Sequence, residues 1–72
     1  MKFELIYRFK HCIGEVELCV GRTDSIHDAK RWLEQGDENM AGIIDPVAVS
    51  CLADFCACKS QKPIRIIRRL NS

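Results

Sequence analysis

Over residues 2–20 apolar and polar side chains alternate with one break. Phe3, Leu5, Tyr7 and Phe9 fall on one face of an extended chain, and Lys2, Glu4, Ile6, Arg8 and Lys10 on the other. The "HCIG" stretch at 11–14 then supplies a turn. Val16, Leu18 and Val20 resume the apolar face, opposed by Glu15, Glu17 and Cys19. Two alternating runs joined this closely predict an antiparallel hairpin.

The period then changes. In "GRTDSIHDAKRWLEQG" the apolar positions Ile26, Ala29, Trp32 and Leu33 cover an arc of roughly 120°, one core-facing stripe of a helix. His27, Lys30, Arg31, Glu34 and Gln35 are left for water, and Lys30 and Glu34 have the spacing of a weak i,i+4 pair. Ser25 and Asp28 have the spacing of a capping box, with Asp24 as the alternative cap. Gly36 suits the left-handed residue beyond the last turn.

"DENMAGIID" is compatible with a loop, a short edge strand or the start of the next element. Asp45–Pro46 then opens a second helix, since Asp caps well and Pro is favoured at the first helical position. This helix runs to about Lys59 and is unlike the first. Its apolar arc, from Val47 through Cys58, Cys51, Phe55, Ala48, Leu52 and Cys56 to Val49, spans roughly 200° at 100° per residue. Only Ser50, Asp54 and Lys59 are plainly polar. After Pro63, "IRIIRRL" reads as a third strand, with Ile64 and Ile66 inward and Arg65 and Arg69 outward.

The element order is therefore ββααβ, an α+β domain spanning 1–72 in which a small, mainly antiparallel three-stranded sheet packs on two helices. The first strand has the best apolar face and is placed in the centre. The last strand is placed beside it, on the side away from the hairpin. No repeat or linker divides the chain. A sheet and one neighbouring helix cannot wrap 200° of the second helix, so part of its arc is expected at an interface with a protein partner or a second copy, giving a homodimer. Val49, Ala53 and Cys56 lie on that flank, while Phe55 and Ala48, nearer the middle of the arc, face the sheet.

Composition narrows the function. At 72 residues and 47% hydrophobic, the chain suits one small ordered domain, and a formal charge of +1 marks neither a strong nucleic-acid binder nor an acidic scavenger. "MKFELIYRFK" is interrupted by charge, which excludes a signal peptide or a spanning helix there. Five cysteines without such a signal read as reduced thiols in a cytoplasm.

Those cysteines offer one metal reading. His11, Cys12, Cys56 and Cys58 could make a tetrahedral zinc site, but Cys56 and Cys58 stand about 200° apart on a regular helix, against the paired ligands on tight turns that zinc favours. Cysteine as a small apolar filler is the preferred reading, and neither metal nor cofactor is expected. No catalytic residues are assigned: a nucleophilic cysteine needs a base in reach, whereas His27 lies on a polar helix face and His11 in a turn. A phosphate-cradling glycine loop and H-E-x-x-H are absent, and an enzyme is not expected.

Charge placement carries the alternative. Residues 25–45 hold Asp28, Glu34, Asp37, Glu38 and Asp45 against two cations, while 59–72 hold Lys59, Lys62, Arg65, Arg68 and Arg69 with no acid. Arg8, Lys10, Lys62, Arg65, Arg68 and Arg69 could serve a small nucleic-acid-binding regulator, with Arg8, Lys10, Arg65 and Arg69 sharing the open sheet face. Glu4, Glu15 and Glu17 on that face oppose it.

A hairpin followed by Ser25, Asp28 and the run Ala29-Lys30-Arg31-Trp32-Leu33 resembles compact phage and mobile-element proteins over residues 1–36. Among these are anti-CRISPR-type inhibitors, which bind a host protein complex without catalysis. The arm domains of phage integrases, which bind DNA through a three-stranded sheet, are also similar, although only two strands precede the helix here. Neither resemblance transfers a functional residue. The inhibitor resemblance implies a phage-encoded protein acting in the host cytoplasm, with Glu34, Asp37 and Glu38 meeting a basic nucleic-acid-binding surface. The expected function is thus a non-enzymatic module acting by protein–protein contact, away from membranes. On the filler reading, all five cysteines should titrate as free thiols after denaturation. Stoichiometric zinc by elemental analysis, or unfolding by a chelator, would reverse it.

Overall fold

A computed structural model describes residues 2–38, 40 and 42–70. It contains β1 (Phe3–His11), β2 (Gly14–Thr23), α1 (Ile26–Gln35), α2 (Pro46–Cys58) and β3 (Ile64–Arg69). The strands form one antiparallel sheet in the order β2-β1-β3, so the α+β class and the central first strand hold as expected. Both helices lie on one face of the sheet.

The hairpin closes through Cys12 and Ile13, with His11 opposite Gly14 at a φ of 125°. Its register sets Phe9 opposite Val16 and Tyr7 opposite Leu18, then shifts between Leu5 and Ile6. Val20 is the extra residue of this bulge; its side chain is fully buried, and Gly21 stands opposite Leu5. The reason for glycine there is proximity. A Cβ on Gly21 would lie 2.4 Å from the Ile43 carbonyl oxygen. The 43–45 stretch is laid against the outer margin of β2, where Asp45 N–H donates to the Val20 carbonyl at 2.7 Å and Ile44 bridges Gly21. Of the segment read ambiguously from sequence, residues 37–38 and 42–43 are turns and Ile44 forms a single bridge.

Helix α1 starts where the cap chemistry places it. Ser25 Oγ accepts the Asp28 N–H, and Gly36 closes the far end at φ 82°, donating its N–H to the Trp32 carbonyl. Only Ala29 and Trp32 are buried; Ile26 and Leu33 flank the stripe and stay more than a third exposed, so the stripe is narrower than predicted. In α2, Asp45 Oδ1 accepts from Val47 and Ala48, and Pro46 takes the first position. The core joins Leu5, Tyr7, Val20, Ala29, Trp32, Leu52 and Cys56 to Met40, which comes from the turn and is 2% exposed.

β3 corrects one expectation. Its register places Ile67 opposite Leu5 and Arg65 opposite Tyr7, so Ile67, Arg65 and Arg69 lie on the helix face, and Ile64 and Ile66 on the open face. Arg65 is tolerated there because Nε and Nη2 donate to the Leu33 carbonyl at 3.3 and 3.1 Å, satisfying a helix-end acceptor. On the open face, Ile6 is nevertheless only 2% exposed. Ile66 and Cys19 flank it, and Glu17 bonds Arg68 diagonally across it from β2 to β3. The methylene stems of that ion pair supply the cover.

Gly21→Ala should destabilise the fold by about 1–3 kcal/mol, the scale of overpacking, because the obstructing atom is backbone. Chemical denaturation of both proteins measures it; equal stability would mean that the 43–45 stretch leaves the margin without penalty.

Candidate protein-docking groove

α2 is covered on one side only. Leu52 and Cys56 are buried, and Ala48, Val49 and Phe55 pack partly against the core, an arc of about 120°. Phe55 meets Phe9 edge-on at 5.3 Å and is stacked by His11 at 5.4 Å, which confirms that the Ala48–Phe55 side faces the sheet. Two apolar strips remain. One is Val47, Cys51 and Cys58, with Val47 69% exposed. The other runs through Ala53 and Ala57 and borders a groove.

The groove consists of two adjoining cavities of about 510 and 320 Å3 that share Val49, Ala53 and Asp37. Met40, Ile44 and Pro46 wall the first; Tyr7, Leu52, Cys56, Ala57 and Pro63 line the second. Of the residues expected at an interface, Val49 and Ala53 therefore line both cavities, and Cys56 contributes buried floor to one. Burial pushes the Cys56 thiol above its ordinary pKa.

Asp37 sits where the cavities meet and is fully engaged. Its Oδ1 accepts from Trp32 Nε1 at 2.8 Å and its Oδ2 from the Tyr7 hydroxyl at 2.9 Å. Tyr7 lies edge-on to Trp32 at 5.2 Å. Burial, then the Asp37 hydrogen bond, raise the Tyr7 pKa, while Arg65 pulls the other way. Of the acidic trio, Glu34 and Glu38 are exposed, whereas Asp37 is spent inside the molecule.

The candidate nucleic-acid cations are dispersed. Arg8 pairs with Glu17 at 2.9 Å and Arg68 bonds the same carboxylate, which both guanidinium groups hold below the usual carboxylate range. The Lys10 backbone is gripped at both N–H and C=O by the Gln61 side-chain amide, at 2.9 and 2.7 Å. Lys62 is exposed beside Pro63. Arg65 and Arg69 lie on the helix face, so the open-face set expected from sequence is split. At the hairpin, Cys12 Sγ approaches His11 Nδ1 at 3.2 Å. Among the described residues, no three metal-ligating side chains cluster, and no helix is long and apolar enough to cross a membrane.

Sequence reading missed the walls of the groove and its neighbouring strip. Met40 and Ile44 were the available signal, as large apolar residues in a segment bounded by Asp37, Glu38 and Asp45. Val47, Cys51 and Cys58 were within the predicted arc but not on the flank chosen. No protein-family model, curated protein or solved structure matches the chain.

Tyr7 is the single tyrosine, so its alkaline titration can be read by ultraviolet difference spectroscopy. Its pKa should lie above the ordinary phenol value of about 10. Stability from the neutral phenol is present below that value and lost as pH rises through the raised one. Asp37→Asn should lower the Tyr7 pKa without abolishing the shift, because burial remains. An ordinary pKa in the parent would mean that the hydroxyl faces water.

Proposed function

We propose that this chain is a non-enzymatic interaction module that acts by protein–protein contact through the groove beside α2. The carrying observation is the groove itself, two adjoining and largely apolar cavities walled by Met40, Ile44, Val49, exposed Ala53 and exposed Ala57. Contiguous apolar surface of this kind serves an interface, and domains this small gain stability by association. A second copy is the occupant proposed. Ala53 on a two-fold axis would meet its own counterpart and set Val49 against Ala57 of the other copy, with no like charges opposed along the seam. The small side chains permit close approach of the helices.

Inhibition of a host nucleic-acid-binding complex, which the resemblance in the first half implies, is a finer form of this proposal. In it Glu34 and Glu38 meet the basic target and Asp37 does not. The module would work in a reducing cytoplasm, where exposed Cys12, Cys19, Cys51 and Cys58 stay as thiols. Direct nucleic-acid binding is the weaker reading, because Arg8 and Arg68 are held by Glu17 and the other cations are divided between faces.

Ala53→Glu tests the proposal. Ala53 is exposed, so the monomer should melt as the parent does, while a charge in a desolvated seam weakens association by several kcal/mol. Sedimentation equilibrium should show concentration-dependent mass for the parent and a monomer for the variant. A parent that remains monomeric at the highest attainable concentration excludes the second copy as occupant. A variant that fails to fold would show that this flank is ordinary core.

A further inference from the structure

β3 offers a second surface, independent of the α2 groove. The Leu70 N–H donates to the Lys2 carbonyl at 2.8 Å, which makes Lys2–Leu70 a hydrogen-bonded pair of the β1–β3 ladder. In an antiparallel ladder such pairs alternate with pairs whose N–H and C=O groups point away from each other. Following the register, Ile64, Ile66 and Arg68 bond inward to β1, and Arg65, Ile67 and Arg69 direct their backbone groups outward. β3 is a sheet margin, and no described residue bonds those outward groups. The opposite margin is covered at one end, where Asp45 and Ile44 meet Val20 and Gly21, while its Glu15–Glu17 stretch is open but carries acids; the Gln61 amide serves Lys10 beyond the start of β3.

The charge on this margin decides what can add to it. A second copy pairing antiparallel about Ile67 would put Arg65 opposite Arg69 of the other copy, twice. Like charges directly opposed are destabilising, and cations on an edge are a common means of keeping sheets from joining. Residues 59–70 carry five cations and no acid. Arg69 is exposed, and the half-buried Arg65 guanidinium, held over the end of α1 by the Leu33 carbonyl beside Gly36 and Tyr7, adds its charge to the margin.

We propose that the outer edge of β3 takes an extended acidic segment of another protein by strand addition. The backbone groups of Arg65, Ile67 and Arg69 supply the ladder. Carboxylates two residues either side of an apolar side chain face Arg65 and Arg69, with the apolar residue against Ile67. Main-chain bonds give affinity in this mode, and the alternating side chains give selectivity.

Amide hydrogen exchange followed by NMR on the full chain tests this, with acetyl-Thr-Glu-Thr-Val-Thr-Glu-Thr-amide as the probe. Without probe, the amides of Arg65, Ile67 and Arg69 should exchange at least about tenfold faster than those of Ile64, Ile66 and Arg68. Millimolar probe should slow the first three selectively, and the same peptide with Lys for Glu should not. Arg69→Glu, which leaves one cation and one anion on the edge, should cancel that preference, and Ala53→Glu should leave it unchanged, which separates this surface from the groove. Absence of protection at millimolar probe overturns the proposal, as does equal protection by both peptides. Retention of oligothymidylate with the three amides still exchanging fast would assign the cations to phosphate and overturn it as well.

Discussion

A single carboxylate ties the helical layer to the sheet. Asp37 accepts one hydrogen bond from the ring N–H of Trp32 on α1 and another from the hydroxyl of Tyr7 on β1. Both aromatic side chains are buried, and each carries a polar atom that would be costly to leave unpaired. Because Asp37 stands just past the Gly36 cap, this bridge also fixes where the chain goes after α1. Met40 can then drop into the core, and Ile44 and Asp45 reach the margin of β2.

That path determines which side of α2 is covered. The turn descends on the β2 side and feeds α2 there, so Leu52 and Cys56 find the core while α1 stays too distant to close over Ala53. In a chain of this size the sheet and α1 use most of the apolar surface available for burial against each other. The fold is thus complete without enclosing its most apolar helix, and the groove is what the Asp37 bridge leaves between α2, the turn and Pro63.

The features readable from sequence were those fixed by local chemistry. The face of β1 follows from strict alternation, and both helix starts follow from Ser25 and from Asp45–Pro46, since caps need only nearby groups. The face of β3 was not readable, because "IRII" has apolar residues in both phases. Its assignment depends on Ile67 standing opposite Leu5 and on a carbonyl at the end of α1 to receive Arg65. Met40 belongs to no periodic segment, so its apolar character was the signal and no periodicity assigned it to a face. The excess of apolar circumference was legible in α2 itself, whereas the groove beside Ala53 was not. Which part of it would be covered depended on the path of residues 37–44, and no pattern in that stretch encodes it.

The ladder between β1 and β3 joins the earliest strand of the chain to the latest, with both helices in between. Such pairing closes a long loop before any of its contacts are gained, which slows folding relative to the hairpin beside it. During synthesis the central strand therefore waits with one side open, and Ile6 lacks Ile66 and Arg68 until β3 is made. The Gln61 amide, standing in for a strand residue on Lys10, is positioned to set the register as that last strand arrives.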